Sequence, residues 1–127
     1  MIRKFEEIVA WVRAKELCRH IYAITKNDAF SKDFGLKDQI QRSSVSIMSN
    51  IAEGFERGSN KEFIQFLYIA KGSSGELRSQ LYVASEQEYI RDKEFEKLIN
   101  LVSETSRLIY YLIESLKNSK IKGIKFK

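Results

Sequence analysis

Seven positions between Phe63 and Ala84 constrain the fold more than any other part of the chain. Phe63, Leu67, Ala70, Ser74, Leu77, Leu81 and Ala84 follow one another at steps of 4, 3, 4, 3, 4 and 3. A seven-residue repeat of this kind runs one stripe down one side of a helix and suits left-handed knobs-into-holes packing. The 127 residues contain no proline and only six glycines. That composition favours long uninterrupted helices and argues against a loop-rich or all-β chain.

Three other segments carry related patterns. The first predicted helix runs from about Phe5 to Asn27, with Trp11, Ala14, Cys18 and Ile21 as its stripe and Ala10, Leu17 and Ile24 widening it. Asn27–Asp28 and the stretch Phe30–Gly35 supply a turn-like break. The second predicted helix spans Leu36 to Arg57. Leu36, Ile40, Ile47, Ile51 and Phe55 share one face, with Ser44, Met48 and Ala52 beside it. Gly58 ends it, since glycine reaches positive φ without a Cβ clash. Ser59 or Asn60 then caps the third helix, and Ser59 with Glu62 fits a capping box. The fourth helix starts near Asp92, whose charge suits a helix N-terminus. Phe95, Leu98, Val102, Thr105, Ile109, Leu112 and Leu116 form its stripe, with Ile99, Ser106 and Ile113 as a flanking row. Leu101, Leu108, Tyr110 and Tyr111 make it apolar on more than one side, which predicts a partner surface and self-association.

Short connections between four such helices define an all-α, antiparallel up-down-up-down four-helix bundle over residues 1–117, followed by a basic tail at 118–127. Gly72 and Gly75 interrupt the third repeat, each at about 1 kcal/mol relative to alanine. The expected return is a closely approaching neighbour backbone. Gly72-Ser73-Ser74-Gly75 lacks the lysine and the strand-to-helix setting of a phosphate loop.

The chain has the size of one domain. With 43% hydrophobic and 31% charged residues it can bury a core. Apolar runs are short, five residues at Ile8–Val12 and six at Leu108–Ile113 with its two tyrosines, against the roughly 20 that cross a bilayer. Arg3, Lys4, Glu6 and Glu7 crowd the start where a signal-peptide core would lie. Cys18 is the only cysteine, so an internal disulfide is impossible. The expectation is a cytoplasmic domain without a membrane partner.

Catalytic groups are sparse. His20 is the only histidine. Glu16 and His20 are four apart, but a dinuclear metal bundle needs a Glu-x-x-His pair on each of two helices, so no metal or cofactor is expected. Cys18 and His20 lie two apart on a helix and diverge by about 160°. Cys18 reads as a small core residue. Ser43–Ser44 and Ser103–Ser106 have no base placed by a recognisable motif. The reading is non-enzymatic, because no nucleophile, base and orienting group come together.

Polar patterning offers more. Arg42, Ser46, Asn50, Glu53 and Arg57 step by 4, 4, 3 and 4 along one face of the second helix. Such a stripe is either a solvated face or a polar seam in which Asn50 and Glu53 set the register of a helix or subunit contact. Ser46, Asn50, Glu53, Tyr110 and Tyr111 are therefore candidate interface residues. There are 22 basic and 17 acidic side chains. The last eleven residues hold Lys117, Lys120, Lys122, Lys125 and Lys127 and no acid, so residues 1–116 are balanced at 17 and 17. A cationic tail can neutralise phosphates and release counterions, or keep the chain soluble. Arg42, Arg57, Lys61, Lys71 and Arg78 join the tail lysines as candidate RNA contacts. Tyr68, Tyr82, Tyr89, Tyr110 and Tyr111 are the surface candidates among the fifteen aromatics. The glycine-aromatic signature of β-sheet RNA readers is missing.

Two blocks carry a resemblance. Phe5…Trp11, Ala14, Leu17, Tyr22 and Thr25 are followed by Gly35-Leu36, Gln39-Ile40, Arg42, Ser46 and Asn50-Ile51-Ala52-Glu53-Gly54. The second block is Phe63, Phe66-Leu67, Ala70, Gly72-Ser73, Glu76-Leu77 and Gln80-Leu81. Over roughly residues 5–117 this resembles the four-helix-bundle 23S rRNA intervening-sequence proteins. The resemblance implies an RNA context and carries over no catalytic residue. Related bundles serve diversity-generating retroelements as barrel-like homopentamers that bind nucleic acid and a reverse transcriptase, which implies a homopentamer here. The chain departs from the family in having Phe30-Ser31 where a proline usually follows the phenylalanine, and Gln41-Arg42 where paired arginines are common. The second departure removes a cation from the face offered to phosphate. The favoured expectation is a homo-oligomeric bundle associated with RNA, 23S ribosomal RNA first among candidates. The alternative is a protein–protein scaffold or adaptor without direct RNA binding.

Overall fold

The computed structural model describes residues 1–119. Within them α1 covers Val9–Ile24, α2 Asp28–Lys32, α3 Phe34–Glu56, α4 Asn60–Glu86 and α5 Asp92–Lys117. The four long helices form an all-helical antiparallel bundle. Around it α1 packs on α3 and α5, while α4 also packs on α3 and α5. That places α1 and α4 at opposite corners.

All seven positions of the α4 repeat are buried, and they meet a core that includes Leu17, Ile21, Ile40, Ile47, Ile51, Ile109 and Ile113. Burying each large side chain stabilises the fold by about 1.5–3 kcal/mol. Local signals set the boundaries. Gly58 adopts φ +83, a left-handed conformation that side chains with a Cβ avoid. Ser59 Oγ then accepts from the Glu62 N–H at 3.2 Å, capping α4. Asp33 Oδ1 caps α3 by accepting from the Leu36 N–H at 3.1 Å. The Arg91 N–H donates to Glu94 Oε1 at 3.2 Å in the first turn of α5.

The structure departs from the sequence reading in four places. The first helix begins at Val9, not Phe5; Phe5–Glu7 is a separate 3₁₀ turn and Ile8 is extended. Consequently the α1 stripe centres on Ala10, Ala14, Leu17 and Ile21, while Trp11 and Cys18 sit half-buried at its margins. The break after α1 contains the short helix α2, anchored by the fully buried Phe30. Part of the second side of α5 lies against its own chain, with Leu108 and Leu112 beside Ile2, Ile8 and Val9, while Tyr110 and Tyr111 stay exposed.

The glycine expectation is also corrected. A Cβ on Gly72 or Gly75 would meet nothing within 4 Å. The close approach is at Gly54 instead, where a Cβ would lie 2.7 Å from Phe66 Cβ, 3.0 Å from Phe63 Cδ1 and 3.3 Å from the Phe63 carbonyl. Hydrogen at position 54 lets α3 and α4 touch.

Candidate nucleic-acid interface

The polar stripe on α3 divides along its length. Ser46 Oγ and Ser73 Oγ are 2.8 Å apart, joining α3 to α4. Asn50 Nδ2 donates to the Ser46 carbonyl at 2.8 Å and to Ser46 Oγ at 3.0 Å. Buried hydroxyls need partners, so this trio pins the height of one helix against the other. Glu53 stands outside it, exposed and paired with Arg57 at 3.0 Å.

The candidate cations are spread over several seams. Arg42 pairs with Asp38 at 2.9 Å on the rim of an α1–α3 groove shared with Tyr22, Gln41, Val45 and Ser46. Arg57 lies 5.0 Å from the centre of the Phe66 ring, bridging α3 and α4. Lys117 Nζ lies 5.3 Å from the Tyr68 ring centre and 3.6 Å from Glu114 Oε2, in the α4–α5 seam. Its contact with Tyr68, reinforced by Glu114, holds its pKa above the ordinary lysine range. Lys61 and Arg78 are exposed on α4, and Lys71 is half-buried there. Lys71 and Arg78, seven apart, share one side of the helix. The described residues therefore present several small cationic sites. Lys120, Lys122, Lys125 and Lys127 lie outside the described residues.

Tyr68, Tyr82, Tyr110 and Tyr111 are exposed, with Tyr110 and Tyr111 edge to face at 5.6 Å. Tyr89 is not available as a stacking surface. Its ring stacks on Phe30 at 5.0 Å and its hydroxyl donates to Asp33 Oδ2 at 2.9 Å, a bond that raises its pKa. It locks the α4–α5 turn onto the α2–α3 corner. Tyr22, exposed beside the Arg42 groove, was missed by the sequence reading, because Tyr22 falls between the apolar positions that define the stripe.

His20 sits in a small cleft with Ile24, Glu94, Lys97 and Leu98. Burial, then Lys97 and Arg19, lower its pKa from 6.5, with Glu16 opposing. Cys18 Sγ accepts from Ser44 Oγ at 3.6 Å. Among the described residues no three His, Cys, Asp or Glu side chains converge on a metal-sized site. No helix among them is long and apolar enough to cross a membrane.

The chain is an all-helical bundle with a polar α3–α4 seam and an Asn-Ile-Ala-Glu-Gly block whose glycine lies against α4, and comparison names its class. The sequence profile of the 23S rRNA-intervening sequence proteins matches residues 6–111. The chain belongs to that family. A crystal structure of a protein of unknown function from the S23 ribosomal protein family of Bacteroides thetaiotaomicron VPI-5482 superposes with a TM-score of 0.77 at 28% identity, covering 83% of this chain and 98% of that one. No curated protein matches the sequence.

Proposed function

We propose that this protein is a non-enzymatic, cytoplasmic homo-oligomer that associates with RNA, 23S ribosomal RNA being the first candidate, with five copies as the expected assembly. Membership of the intervening-sequence family carries the reading. The charge distribution supports it: residues 1–116 are neutral overall, and the five-charge excess lies from Lys117 onward. Phosphate neutralisation by such a segment releases counterions and makes affinity fall as salt rises. Scattered sites such as Arg57 on Phe66 and Lys117 on Tyr68 would add contacts only when several copies present them together.

The test is a filter-binding titration of the full chain against 23S rRNA fragments and an unrelated RNA from 50 to 300 mM salt. The expected result is binding that weakens linearly on a log–log plot, with a preference for the ribosomal fragments. Absence of binding, or affinity indifferent to salt, overturns the RNA reading. The exposed Tyr110 and Tyr111 of α5 favour the second reading, a protein-binding scaffold. One protein partner retained after nuclease treatment would select it.

A further inference from the structure

We infer that the outer face of α4 in one copy docks, side by side and in the same direction, on the outer face of α1 in the next copy. This rests on the self-association in the reading above and assigns its surface. Away from the core, α4 exposes Ile69 (51%) and Val83 (43%) on one edge and Tyr68 (48%) and Tyr82 (50%) on the other, where the tyrosines also meet Lys117 and Phe95 of α5. Apolar groups this open mark an interaction surface. Between them stand Gly72 and Gly75, both exposed with open space where a Cβ would be. On the opposite corner α1 exposes Val9, Val12 and Tyr22.

Charge selects which face meets which. The α4 edge that holds Ile69 and Val83 carries Glu76, with Glu86 at its end and Lys61 at its start, while Lys71 and Arg78 stand on the other edge beside Tyr82. The α1 face carries Lys15 and Arg19, with Lys26 just beyond it, against Glu16. The ion pairs within the described residues do not use Arg19, Lys26, Glu76 or Glu86. Pairing α4 with α4, or α1 with α1, would crowd like charges, which suppresses such contacts. Pairing α4 with α1 joins opposite ones.

Spacing agrees with charge. Val12 and Arg19 are seven apart on α1, and Ile69, Glu76 and Val83 are seven apart on α4. Each set therefore lines one helix face, and Lys26 follows in the turn just after α1. Both helices run the same way, since each is antiparallel to α3. Cys18 meets Ser44 and Ser46 meets Ser73, so Arg19 and Glu76 lie at about the same height, to within a helical turn. Copies set side by side without axial shift place Val12 against Ile69 and Arg19 against Glu76, and bring the turn that holds Lys26 toward the C-terminal end of α4, where Glu86 stands. The contact is heterologous, and such contacts close into rings when the rotation between copies permits.

The experiment measures the mass of the full chain by light scattering after size exclusion, with circular dichroism confirming helicity. Arg19→Glu and Glu76→Arg are each expected to shift the wild-type multimer toward the 14.8 kDa single chain, and the doubly reversed chain is expected to regain the multimer. As a second measurement, Val12→Cys with Ile69→Cys in a Cys18→Ser chain should oxidise to a covalent ladder. A multimer unmoved by both reversals, a double reversal that stays dissociated while helical, or no ladder overturns the face assignment and leaves the RNA reading intact. A wild-type chain of single-copy mass at every concentration overturns self-association along with it.

Discussion

The two sides of α4 obey opposite packing rules. Toward the core it presents a strict seven-residue repeat, every position buried. Toward solvent it presents half-exposed tyrosines, an isoleucine, a valine and, at Gly72 and Gly75, open space where a Cβ would lie. Gly54 and Gly75 make the contrast concrete: one is held against Phe66 and Phe63, the other faces open space. The same residue type thus marks a completed contact in one place and a bare surface in the other. Sequence spacing alone does not distinguish them.

The largest effect should come from the buried side. Leu77 is fully buried at the centre of the α4 repeat. Leu77→Ala removes packed methyl groups and leaves a cavity, and is expected to cost about 2–5 kcal/mol. Urea unfolding followed by circular dichroism reads this directly. A loss under about 1 kcal/mol would mean that the α4 stripe is not the core of the bundle.

Next comes the crossing point. Gly54→Ala places a methyl 2.7 Å from Phe66 Cβ, closer than atoms tolerate, and the α3 and α4 backbones must separate. Overpacking of this kind is expected to cost about 1–3 kcal/mol, despite alanine's higher helix propensity. Thermal and urea midpoints should both fall. A stabilised variant would show that the two helices are further apart at this position.

How much of this was legible in the sequence follows from which forces are periodic. Core positions recur every three or four residues, so α3, α4 and α5 could be read to within a few residues from their stripes. The margin of α1 was misplaced because Trp11 packs edge to face on Phe5 at 5.2 Å, under Lys15. It fills a side pocket rather than the core. Part of the apolar surplus on α5 lies beside Ile2 and Ile8 of the N-terminal segment, while Tyr110 and Tyr111 remain exposed. A segment folding back from outside a helix leaves no periodic mark. The polar stripe is legible as a line of residues on α3, but its division into a Ser46–Asn50–Ser73 seam and an exposed Glu53–Arg57 pair depends on where α4 lies. For the same reason the candidate cations read as one set and stand in separate seams.

The smallest effect reverses the sign of the second. Gly75 lies within α4, exposed, with space for a methyl in every direction. An alanine there meets nothing within the chain and restricts the unfolded backbone, so Gly75→Ala is expected to stabilise the single chain by about 0.5–1 kcal/mol. The measurement is best made on the Glu76→Arg chain, so that contact between copies does not enter the unfolding curve. Gly54→Ala and Gly75→Ala are chemically the same substitution in long helices of one bundle. If both destabilise, Gly75 faces a neighbour within the chain and the outer surface of α4 is not open. If only Gly54→Ala does, the two sides of α4 are separated by one methyl group's worth of evidence, and the bare side is the one left for a second molecule.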